Sequence, residues 1–136
     1  MFFKKRGDNK NDNLVKVAAL LIHTAKIDEN FSEKEEEIIK QTLQKLNIDN
    51  LDIREVIQKA KEIEKNSHQI LDFTREVKNM DEKNKIKIVE ALWQIIYSNN
   101  EADMYETNLM RRLAGLLYID SKIMGDIKDK IKKENS

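Results

Sequence analysis

Apolar residues recur every three or four positions in a series of stretches separated by short polar clusters. The first stretch, about residues 14–25, puts Leu14, Val17, Ala18, Leu21, Ile22 and Ala25 on one helical face, with Asp12 or Asn13 as the expected cap. Ser32, Glu33, Lys34 and Glu35 read as a capping box, in which hydroxyl and carboxylate satisfy free N–H groups at the start of a second helix. That helix carries Ile38, Ile39, Leu43 and Leu46 on its face. Asp52 opens a third, with Val56, Ile57, Ala60 and Ile63, and Asn66 or Ser67 a fourth, with Ile70, Phe73 and Val77. Asp81 opens a fifth, where Val89, Leu92, Trp93 and Ile96 are flanked by Ile86, Ile88 and Tyr97. Asp103 to Glu106 forms a box-like start for a sixth helix, with Leu109, Met110, Leu113, Leu116 and Leu117. Asp120 or Ser121 opens a seventh, with Ile123, Ile127 and Ile131. Alternating pieces such as Ile86, Lys87 and Ile88 are too short to compete as strands. The pattern predicts an all-α fold, a single compact bundle of seven helices of about 10–17 residues. No heptad persists across the loops, which argues against a coiled coil.

The pattern also repeats. An offset of 71 positions, without a gap, brings Leu21 onto Leu92, Ile22 onto Trp93, Asp28 onto Asn99 and Ser32 onto Asp103. It also brings Glu35 onto Glu106, Leu46 onto Leu117, and the pair Ile48, Asp49 onto Ile119, Asp120. The repeated unit is a helix, a polar turn and a capped helix. This register supports an internal duplication, although any two antiparallel helix pairs share some of it.

Composition narrows the chemistry. The chain of 136 residues has 25 basic and 25 acidic side chains, no Cys, no Pro and two His. Without Cys there is no disulfide scaffold, thiolate zinc site or iron–sulfur cluster. A net charge of zero argues against nucleic-acid binding through bulk positive charge. The longest apolar run, residues 17–22, falls far short of the roughly 20 residues that span a bilayer. Phe2, Phe3, Lys4, Lys5 and Arg6 could touch an anionic membrane surface weakly, but read more simply as part of a flexible tail, residues 1–12. A cytoplasmic location follows by default. The last residues, 132–136, read as a frayed polar end.

Residues 25–35 (AKIDENFSEKE) resemble the A-x-A-D-G-x-F-S-x-x-E signature of the TerB-like tellurite-resistance family. Residues 72–75 (DFTR) with 89–93 (VEALW) resemble its middle region, and residues 109–117 (LMRRLAGLL) its L-I-R-R-L-A-x-L-L run. The resemblance spans about residues 14–128, and with it residues 13–131 form one TerB-like domain. It implies a duplicated all-helical fold, shared with domains found beside membrane-anchored co-chaperone modules. It also implies a divalent cation site built from acidic residues of the two helix-turn-helix copies: here Asp28, Glu35, Asn99 and Glu106. The sequence departs from the pattern in four places. Glu29 stands for Gly, Ile27 for Ala, the pair Asn99, Asn100 for Asp-Gly, and Asp103 for the Ser cap. The amide at Asn99 removes one negative charge and weakens any such site.

An oxygen-only set suits Ca²⁺ or Mg²⁺. Each Glu also has a local reason to be where it is, because the third position after a cap favours Glu. An EF-hand fails: Glu33 stands at its glycine position and Ile39 at its bidentate position. His23 and His68 belong to no Glu-x-x-His motif, and His68 with Asp72 reads as solvated. Trp93 with Tyr97 suits core packing or a binding platform. Acid at residues 33–37 and Lys128, Lys130, Lys132 and Lys133 at the other end suit either solvated faces or charge-guided docking. The resulting expectation is a non-enzymatic interaction or stress-response module that binds an unidentified protein and is tuned by a divalent cation. The alternative is a metal-free adaptor at the periphery of the inner membrane. A metal-assisted hydrolase comes third, since carboxylates and a cation are its minimum.

Overall fold

A computed structural model describes residues 2–27, 32–47, 50–66, 70–98 and 104–134, with backbone alone at residues 2–12 and 104–105. The described residues form seven helices and no strand: α1 (Phe2–Ala25), α2 (Glu33–Leu46), α3 (Ile53–Asn66), α4 (Leu71–Lys78), α5 (Glu82–Tyr97), α6 (Met104–Leu116) and α7 (Ser121–Glu134). The all-α expectation holds. None of these helices is long and apolar enough to cross a membrane.

Two helices form the centre. Residues 17–22 of α1 are all buried, so this segment is apolar around its whole circumference rather than along one stripe. It packs against α2, α3, α4 and α5. The second half of α5 is buried in the same way through Ile88, Val89, Leu92, Trp93, Ile95 and Ile96, and packs against α1, α2 and α7. The outer helices are amphipathic. For example, α3 buries Val56, Ile57 and Ala60, and α7 buries Met124, Ile127 and Ile131.

Capping largely follows the expected chemistry. Asp81 Oδ1 accepts the Asn84 N–H at 3.0 Å and starts α5. Asp52 and Asp120 do the same for α3 and α7, accepting from Arg54 at 3.0 Å and Lys122 at 2.9 Å. Three boundaries differ from the expected ones. α1 starts at Phe2, so Asp12 and Asn13 lie inside it instead of capping it, and residues 2–12 have helical backbone. That segment has no apolar stripe, so periodicity could not reveal it, and no Pro interrupts it. α4 starts after Ile70 without a side-chain cap, because Asn66 is the last residue of α3. α7 runs on to Glu134, so residues 132–134 continue the helix.

α6 ends unusually. Ile119 N–H donates to the Ala114 carbonyl at 2.9 Å and Tyr118 N–H to that of Gly115 at 3.3 Å. This is the Schellman pattern, with Tyr118 (φ 56°) at the left-handed position where glycine is usual. The buried side chain of Ile119 anchors the turn.

Candidate functional site

The first turns of α2 and α6 each bury a carboxylate. Glu35 is 1% exposed and Glu106 is 5% exposed, at equivalent places in the 71-residue register. Glu35 completes the expected capping box: Ser32 Oγ accepts from Glu35 N–H at 3.2 Å, and Glu35 Oε1 accepts from Ser32 N–H at 2.8 Å. Glu106 is an acid in the first turn of α6, where the helix dipole favours negative charge. A buried carboxylate is costly unless engaged, and both side chains are engaged by neighbours.

Short turns follow the buried ends of the two central helices. Beyond α1, Lys26 N–H donates to the Ile22 carbonyl at 3.0 Å and Ile27 N–H to that of Thr24 at 3.3 Å. Beyond α5, the Ser98 hydroxyl donates to the Ile95 carbonyl at 2.6 Å. Asp28 and Asn99, the other two expected ligands, lie outside the described residues, as does Asp103. Among the described residues no group of three or more His, Asp or Glu is arranged to hold a metal. The four expected ligands carry three carboxylates and one amide, oxygen donors of the kind a hard cation takes.

The remaining singled-out residues take structural places. His23 Nδ1 lies 3.4 Å from Glu64 Oε2, and Lys26 Nζ donates to Glu64 Oε1 at 2.8 Å, so Glu64 ties α3 to the end of α1. Asp72 is exposed, and His68 is outside the described residues. Trp93 and Tyr97 are buried and stacked, with centroids 5.9 Å apart and planes at 26°. Both charged ends are partly satisfied internally: Glu36 pairs with Lys61 at 3.3 Å and Glu90 with Lys130 at 3.4 Å. Burial raises the phenol pKa of Tyr97 above 10.0, and the negative charge of Asp129 adds to the shift.

A concavity between α5, α6 and α7 was not anticipated. Its signal in the sequence was faint: Gly125 inside a helix, and Ala114 where the register offers Leu43.

A family model described as tellurite resistance protein TerB matches residues 14–129. No individual curated protein and no solved structure gives a significant match.

Proposed function

The chain belongs to the TerB family, and on that premise we propose that it is a non-enzymatic stress-response module whose protein contacts are tuned by a divalent cation. TerB is not a known enzyme family. The observation that carries the reading is the pair of buried carboxylates, Glu35 and Glu106, at matching first turns 71 residues apart. Both lie out of solvent at the start of a helix, and a cation beside them would add to the compensation that their neighbours already give. Asp28 and Asn99 would complete an oxygen set with them, and Ca²⁺ or Mg²⁺ is the cation class this set takes. When bound, the cation would supply charge neutralisation and a tie between the two hairpins. The partner would read the hairpin ends by charge, in the cytoplasm.

Trp93 lies six residues before Asn99 in the sequence and is the chain's sole Trp. Titration of the whole protein with Ca²⁺, Mg²⁺ and Mn²⁺, followed by Trp93 fluorescence and melting, tests the reading. At a hundred times the dissociation constant, stability should rise by about 2.7 kcal/mol. Asp28→Ala should abolish the gain while the apo protein still melts cooperatively. A wild type indifferent to millimolar cation, or an Asp28→Ala variant that responds like it, would overturn the proposal.

A further inference from the structure

The concavity between α5, α6 and α7 has a volume of about 230 Å³. Its walls are mostly apolar, formed by Trp93, Met110, Ala114, Met124 and Gly125, with the hydroxyls of Thr107 and Ser121 among them. Two cations stand at its edge, Arg111 on α6 and Lys128 on α7, and no carboxylate among the described residues lines it. Lys128 Nζ lies 5.5 Å from the centroid of the Trp93 ring, held over the π face.

Three independent features indicate that this space is built for a guest. The first is an orphaned donor. Trp93 is 2% exposed, and its buried indole N–H has no hydrogen-bond partner among the described residues. Buried donors are almost always paired, so a missing acceptor needs a reason. The second is Gly125. It lies inside α7 without a positive φ, and a Cβ added there would meet nothing within 4 Å. Neither backbone conformation nor packing calls for glycine, and glycine weakens a helix interior. What its missing side chain leaves is open space at the wall of the concavity. The third is the chemistry of the rim. An apolar cleft edged by a guanidinium fork and an ammonium selects an anion with a hydrocarbon body.

Size sets the rest. A dry apolar cavity of about 150 Å³ accepts benzene, and drug-sized ligands use about 300–1,000 Å³. The concavity therefore suits one ring or a short chain with a small head group. We propose that it is a binding site for a small apolar carboxylate. The hydrocarbon body rests on Met110, Met124 and the Gly125 backbone. The carboxylate meets Arg111 and Lys128, and it reaches the Trp93 N–H, closed to solvent without a guest, as the side chains around it give way. This site is separate from the hairpin turns and does not depend on a cation there.

The probe is 3-phenylpropionate, with 3-phenylpropanamide as its neutral counterpart and propylbenzene as the apolar body alone. The chain contains a single Trp, so ¹⁵N-labelled full-length protein shows one indole N–H resonance. With the acid, that resonance should move downfield and saturate. The amide and propylbenzene should bind at least tenfold more weakly. Arg111→Gln with Lys128→Gln should weaken the acid at least tenfold and leave the amide unchanged. Gly125→Leu should fill that space and abolish the shift while the protein keeps a cooperative melt. If that variant does not fold, Gly125→Ala serves in its place, with at least threefold weaker binding expected. The proposal is overturned if the acid gives no saturable shift. It is also overturned if acid and propylbenzene bind equally, which would make this a socket for an apolar side chain of a protein partner. Unchanged binding in the Gly125 variants overturns it as well.

Discussion

The first three helices and the last three are built on the same plan and end up differently packed. In both, the first helix packs against the third: α1 against α3 and α5 against α7. In both, an aspartate caps the third helix, Asp52 in one and Asp120 in the other. The register between them is 71 residues up to the end of the second helix but 68 at these caps, so the intervening turn is three residues longer in the first unit. The shared register also breaks in the chemistry of that turn. Asn47 closes the first one through its side chain, donating to the Leu51 carbonyl at 2.8 Å and accepting its N–H at 2.9 Å. Its counterpart, Tyr118, closes the second through backbone alone, in the left-handed region.

Packing diverges at the same place. Leu43 and Ile57 close the first unit and are 0% and 5% exposed. The positions that correspond, by register and by cap, are Ala114 and Gly125, both lining the concavity of the second unit. Two large buried side chains in the first unit thus correspond to two small residues beside a pocket in the second.

The comparison can be tested most strongly at its filled half. Leu43→Ala should cost about 2–5 kcal/mol in denaturant unfolding, since it leaves a cavity in a close-packed site. The matching Ala114→Leu should cost less than about 1 kcal/mol, because its added atoms enter space that is already open. Equal losses at the two positions would end the distinction between the units. Ser32→Ala, which removes the hydroxyl half of the capping box, should cost about 1 kcal/mol by the same measurement. A smaller effect of opposite sign is expected at the other turn. Tyr118→Gly should gain about 0.5–1 kcal/mol, because glycine takes the left-handed conformation without the Cβ penalty. That gain will be trimmed by loss of the Lys78 ammonium stacked 5.2 Å from the Tyr118 ring.

The smallest effect concerns alkali. Tyr97 in the second unit corresponds to Lys26 in the first, which is exposed and paired to Glu64. Burial raises the Tyr97 pKa above 10.0, so the folded state holds the phenolic proton more tightly than the unfolded chain. Its contribution is whole below pH 10 and is lost as pH rises through the folded value. Melting temperatures between pH 9 and 11 should therefore fall more steeply for the wild type than for Tyr97→Phe. A Phe variant with the same slope would show that the phenol is not the source.

Much of the fold was legible because it rests on local rules. Ser32 with Glu35, Asp81 and Asp120 mark helix starts through hydrogen bonds made within three residues, so spacing alone identifies them. The start of α1 was not legible, because residues 2–13 have no apolar stripe for periodicity to detect. The missing cap of α4 has the same origin, since its start depends on where α3 stops. Of the candidate cation site, residue identities came from the resemblance and the register. The burial of Glu35 and Glu106 depends on the helices packed over them.

The sequence by itself determined seven helices, the capped starts of α2, α3, α5 and α7, and the family, because these depend on residue type and short spacing. The tertiary structure decided which faces closed. It wrapped α1 on all sides and placed both glutamates out of solvent. It also left an indole N–H without a partner among the described residues and a concavity in one unit, where the corresponding positions of the other carry two large buried aliphatic side chains. Volume complementarity between distant residues produced that difference, and no pattern along a single helix encodes it.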